Sequence, residues 1–232
     1  MAKGKVGRAR PRRKLPARPA VVRRVEVTGA TDGRHRRGEA TRRRLYEAML
    51  LMMRELHDIP ATADVAARAN VGLRTFYEHF ADATTFYAAT FDYVIASTLA
   101  TMPPVSPDGP LAERVAGFVE RRSRVCEAWA PMWRVAIRFA SHDEGFRLRI
   151  ARVAQLLRAR AQILYAPELA TLPAGAQAFL LDAVMSLTEM DAWLHLRDQC
   201  GRDVAAAQAV WRYSVAALFA RAGRIALDPA PT

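Results

Sequence analysis

The chain has 232 residues, 51% of them hydrophobic and 25% charged, which is ample apolar material for one or two packed domains. Its formal charge of +12 is concentrated: residues 1–37 carry 13 Lys and Arg against Glu26 and Asp32, and the rest of the chain is close to neutral. A uniformly basic body is excluded, the distant cysteines Cys126 and Cys200 fit no metal or redox spacing, and no uncharged apolar run reaches the roughly 18 residues a membrane span needs.

Residues 1–37 are rich in Arg, Ala, Gly and Pro (Pro11, Pro16, Pro19), a composition that buries too little apolar surface to offset its ordering entropy; a disordered basic tail is expected. The segment lacks the apolar stretch of a secretory signal, and the absence of Ser before Ser97 is unlike a transit peptide, so the expected location is cytoplasmic. From about Gly38, Leu45, Ala48, Met49, Met52, Met53 and Leu56 recur at helical spacing and predict a first helix. Val65, Ala66 and Ala69 predict a short amphipathic helix over Thr62–Ala69. Asn70 follows as a residue that tolerates the left-handed conformation of a sharp turn. Gly72 suits the N-cap of a further short helix whose buried edge is Phe76 and Phe80.

A long helix is predicted over Thr84–Met102, then a Pro-rich break to Pro110. Further helices are predicted over Leu111–Ala128, from a restart or kink at Pro131, over Glu144–Tyr165, over Ala176–Cys200 and over Arg202–Ala222. The reading is therefore all-α with about nine helices, no strand and no repeat at solenoid spacing.

The run DVAARANVGLRTFYEHF resembles the DNA-binding signature of the TetR family of bacterial transcriptional regulators, D-[IV]-A-x-x-A-[GN]-V-[SG]-x-x-T-[LF]-Y-x-[HY]-F. Asp64, Val65, Ala66, Ala69, Asn70, Val71, Gly72, Thr75, Phe76, Tyr77, His79 and Phe80 carry it, 12 positions of 17. The chain departs from the family in having Ala83 where a Lys is usual and in lacking the usual Gly in the LHDIPAT junction. The resemblance implies a three-helix helix-turn-helix domain over 38–83 and a helical ligand-binding and dimerisation domain over 84–232. It also implies a homodimer on a palindromic double-stranded operator, because so small a reading head normally needs two half-sites.

For DNA contact, Arg74 can take guanine O6 and N7 with two hydrogen bonds; its alternative partner is Glu78, four residues on. Leu73 and Thr75 suit a thymine methyl, and Tyr77 and His79 match the family's phosphate-contacting positions. Thr62, Gly72, Arg42 and Arg43 complete the candidate surface, with Arg44 beside them; solvated charge is the alternative for these arginines. The family also implies a small, largely apolar ligand. Candidates to line its pocket are Phe118, Trp129, Trp133, Ile137, Met185 and Trp193, with Arg122 and Glu189 as polar anchors, although core packing explains the same residue types. The C-terminal pair of helices is similar to the family's dimerising pair, which nominates Leu187, Leu194, Trp211, Val215 and Leu218; completion of a monomer core is the alternative.

No phosphate loop, nucleophile elbow or Cys/His metal cluster is present, so neither an enzyme nor a cofactor or metal site is expected. Asp191 and His195 lie four apart on a predicted helix and are read as an ion pair, with an acid/base pair or metal ligands as alternatives. The cysteines read as reduced thiols, with redox sensing at Cys126 as the alternative. The competing functional reading is a sequence-tolerant or architectural nucleic-acid-binding protein acting through its basic tail.

Overall fold

The structure, a computed structural model, describes residues 29–222. Compactness divides the chain after Arg37. Of the first unit, residues 29–37 are described and are helical; the rest of the expected tail lies outside the described residues. This corrects the expected start of the first helix, which begins at Gly29 (α1, Gly29–Leu56) rather than near Gly38. Adding residues to an existing helix fixes one residue per hydrogen bond. Gly33 and Gly38 each cost it about 1 kcal/mol, and α1 runs through both.

From Gly38 onward the fold is all-α among the described residues. The elements after α1 are α2 (Thr62–Arg68), α3 (Leu73–His79), α4 (Ala83–Thr101), α5 (Leu111–Ala140), α6 (Glu144–Leu164), α7 (Ala166–Leu169), α8 (Ala174–Leu187), α9 (Met190–Leu194) and α10 (Val204–Ala222). A π-helical turn, His195–Gln199, continues from α9. The central element is α5, which packs against α4, α6, α9 and α10. One hydrophobic core runs from Leu45 and Met49 through Phe91, Val119, Met132 and Val184 to Val215. No helix among the described residues is long and apolar enough to cross a membrane.

Pro131 does not restart a helix. It lies inside α5, which continues for 30 residues, roughly 45 Å. Trp129, Met132, Val135 and Ala136 on either side are buried, and their packing outweighs the roughly 3 kcal/mol a mid-helix proline costs.

The helix expected over Ala176–Cys200 is broken at Thr188. Thr188 is buried there, and its hydroxyl donates to the Val184 carbonyl at 2.7 Å, competing with the backbone. Its own carbonyl accepts from Arg122 Nε at 2.8 Å, so the break is satisfied from α5. Asp191 and His195, read as an ion pair, do not pair, because each takes other partners. Asp191 accepts from Trp133 Nε1 at 3.0 Å, and His195 meets Gln199 and Cys200. Asp143 caps α6 by accepting from the Phe146 amide at 3.0 Å.

Candidate nucleic-acid interface and inner cavity

The α2–turn–α3 segment is held by its backbone. Asn70 takes φ of +53°, the left-handed turn expected of it, and the Val71 amide donates to Ala66 O at 2.9 Å. Gly72 is the N-cap of α3 with extended backbone, and the Phe76 amide donates to its carbonyl at 3.0 Å. Where α1 ends, the positive φ falls on His57 at +55°, so this histidine makes a left-handed turn that glycine would make without strain.

Helices of seven residues have no stability of their own, and the underside of α3 supplies it. Phe76, Phe80 and Phe86 form a three-way aromatic contact with ring centroids 5.0–5.4 Å apart. Tyr46 on α1 reaches Phe80 and Phe86 at about 6 Å, and Leu45, Met49 and Met53 close the floor.

The opposite side of α3 is open. Arg74 is 93% exposed, with Nε 3.1 Å from Glu78 Oε1. Leu73 and Tyr77 are exposed apolar or amphipathic groups beside it, and Thr75 and His79 are half-buried. Arg42 and Arg43 on α1 are exposed, and Thr62 opens α2 half-buried. His79 lies against α1, where a Cβ on Gly38 would stand 3.6 Å from its Cε1. Burial there, with the charge of Arg42, holds its pKa below 6.5, which favours the neutral ring. All nine candidate DNA-contact residues thus fall on the α1–α3 region, and the side chains of Arg74 and Tyr77 face solvent.

The ligand candidates are dispersed. Phe118, Arg122 and Met185 line a cavity of about 140 Å³ between α5, α6 and α8. The others do not line it. Trp129 and Trp193 are core, Trp193 donating from Nε1 to Glu127 at 2.8 Å; Trp133 bonds Asp191, Ile137 is exposed, and Glu189 is the exposed N-cap of α9. Sequence reading missed the α6 wall, Leu157, Ala161 and Leu164, and the two further arginines, Arg121 and Arg160. The available signal was the three-to-four spacing of that α6 stripe with Arg160 alongside.

Of the dimer candidates, Trp211 and Val215 are buried within the chain, Trp211 packing on Trp193 at 4.7 Å. Leu218 and Leu194 are half-buried, and Leu187 is exposed. The seam of α10 is therefore spent on this chain's own core. Its exposed large apolar residues are Val204, Val210 and Tyr213, the last 79% exposed, with Phe179 exposed on α8.

Cys126 is buried and its thiol pKa is pushed up to about 11 by desolvation, which makes it unreactive; Cys200 is exposed beside His195. No group of three potential metal ligands occurs among the described residues. The chain matches no protein-family profile, no curated protein sequence and no solved structure.

Proposed function

We propose that this chain is a TetR-like, ligand-responsive transcriptional regulator, a cytoplasmic repressor that binds a palindromic operator as a homodimer and is released by a small, largely apolar ligand. In this reading residues 38–83 are the DNA-binding domain and the chain from residue 84 binds ligand and dimerises; it is neither an enzyme nor a membrane partner. The observation that carries it is α3: hydrogen-bonding side chains on a solvent-facing edge, held rigid by a buried aromatic underside. The Arg74–Glu78 pair is an exposed i,i+4 contact worth about 0.3–0.5 kcal/mol, so it yields readily to a guanine edge.

Two α3 helices in a dimer must stand roughly 34–36 Å apart to enter successive major grooves. With the seam of α10 occupied internally, Phe179, Leu187, Val210 and Tyr213 are the surface offered to a second copy. Helix α4 follows the reading head directly and packs on α5, a wall of the cavity, so it links the two. A ligand moves that linkage only by binding the two arrangements unequally.

Selection of bound duplexes from a random-sequence library at physiological salt is the test. The proposal expects one two-fold symmetric sequence to be enriched, and an unenriched pool would reject it. The charge of residues 1–37 favours a second reading, non-specific binding through the tail. In that case binding should saturate without sequence preference and lose about 0.9 in log–log salt slope for each phosphate contact removed by deleting the tail.

A further inference from the structure

The cavity between α5, α6 and α8 has an unusual wall. Three of its lining residues, Arg121, Arg122 and Arg160, are cationic and none is acidic. Arg122 is 6% exposed; its Nε serves the Thr188 carbonyl, while its Nη1 is buried with no hydrogen-bond partner among the described residues. Trp129, Tyr165 and Trp211 also bury a polar atom with no partner among the described residues, but none of them lines the cavity.

The comparison on the same helix is Arg114, eight residues earlier, which is equally buried. It is held by both carboxylate oxygens of Glu168 and by the carbonyls of Leu164 and Gly109. A guanidinium taken out of water without a counter-charge is strongly unfavourable, and for Arg122 none is supplied among the described residues. Arg121 donates to the carbonyls of Met102 and Pro103, and Arg160, exposed at the mouth, pairs with no acid among the described residues. The rest of the wall is apolar, including Val105, Phe118, Val125, Leu157 and Met185.

We infer that this cavity binds a small amphipathic monocarboxylate, its head held at the cationic wall of Arg122 and Arg160 and its hydrocarbon body seated among the apolar side chains. The inference deepens the effector site of the proposed regulator and rests on that reading only for its biological role. The size follows from volume: a cavity of about 150 Å³ holds a benzene-sized group, so a body of roughly six to eight carbons fits. The head follows from charge, because three arginines and no acid line the cavity, and a carboxylate is a natural partner of a guanidinium.

The test is calorimetric titration of the full chain, without DNA, using octanoate, 1-octanol and butanoate. Octanoate should bind one-to-one, with the neutral alcohol and the short acid each at least about tenfold weaker. Arg122→Gln should weaken octanoate by about tenfold or more and octanol much less, so that the preference for the acid over the alcohol is lost. Because Arg122 also holds the Thr188 carbonyl, Arg160→Gln at the exposed mouth provides the second variant. It should fold normally and weaken octanoate by about threefold, as a solvent-screened charge does. Octanol binding as tightly as octanoate would overturn the inference. So would parental octanoate affinity in both variants. A protein that binds octanoate but selects no DNA sequence would support the cavity and sink the regulatory reading. A protein that selects an operator but binds no octanoate would do the reverse.

Discussion

Two arginines set the α2–turn–α3 head and the cavity apart. Arg74 stands on α3 with its side chain in water and a neighbouring carboxylate within reach, while Arg122 lies inside α5 with a buried nitrogen that has no partner among the described residues. The head places its apolar residues beneath a polar edge over 17 consecutive residues. The cavity turns the arrangement inward, surrounding cationic groups with apolar walls drawn from α5, α6, α8 and the connector after α4. Charge that is exposed and lightly paired is available to a polyanion at small cost. Charge that is buried and unpaired is expensive until a specific anion arrives.

The largest expected effect tests the support beneath the head. Phe76→Ala removes the centre of its aromatic cluster and should cost about 3–5 kcal/mol of stability, read by chemical denaturation followed by circular dichroism. A loss below 1 kcal/mol would mean that α3 does not depend on that packing.

Next is the contrast between Arg114 and Arg122. Glu168→Gln should strand the Arg114 charge and cost about 3 kcal/mol, the low end for a broken buried pair because Glu168 keeps some contact with water. The hydrogen bond from Arg114 holds the Glu168 carboxyl below its usual 4.5, so the unfolded chain takes the proton first. That stability is complete above pH 4.5 and is lost as pH falls through the depressed folded value. The Gln variant should lose the corresponding slope in a pH series of denaturation midpoints.

Arg74→Ala sharpens the comparison from the other side. It should change folding stability by less than about 0.5 kcal/mol, yet cost about 1–3 kcal/mol on the selected operator and relax preference at one base pair. Tyr77→Phe should weaken all duplexes alike. Anisotropy titrations against single-base operator variants separate the two.

The smallest effect concerns His79. Its folded pKa lies below 6.5, so the unfolded chain binds the extra proton as pH falls from 6.5 toward the folded value, and stability drops across that window. His79→Gln should make the denaturation midpoint less sensitive to pH there; equal sensitivity in both proteins would remove His79 from the account.

How far these regions could be read from sequence follows the same division. The turn at Asn70, the cap at Gly72, the buried pair Phe76 and Phe80 and the Arg74–Glu78 contact all arise within a few residues of one another, and spacing reveals such contacts. The cavity arises from side chains up to about 80 residues apart, from Pro104 to Met185, so only Phe118, Arg122 and Met185 were nominated among many apolar residues of the same kind. Helix boundaries failed where tertiary packing overruled local rules. Proline was tolerated at 131 because its flanks are buried, and a continuous apolar pattern broke at Thr188 because Arg122 reaches its carbonyl. The aromatic seam at Trp211 and Val215 was legible as a packing surface, but periodicity carries no information about whether the same chain or another fills it.

The most direct test of the regulatory reading is the ratio of affinities for the selected duplex and a scrambled duplex of equal length, measured at physiological salt with the full chain. A sequence-reading regulator predicts a ratio of about 10³ or more, collapsing toward one only in variants that disable α3. A ratio near one in the unmodified protein would contradict it.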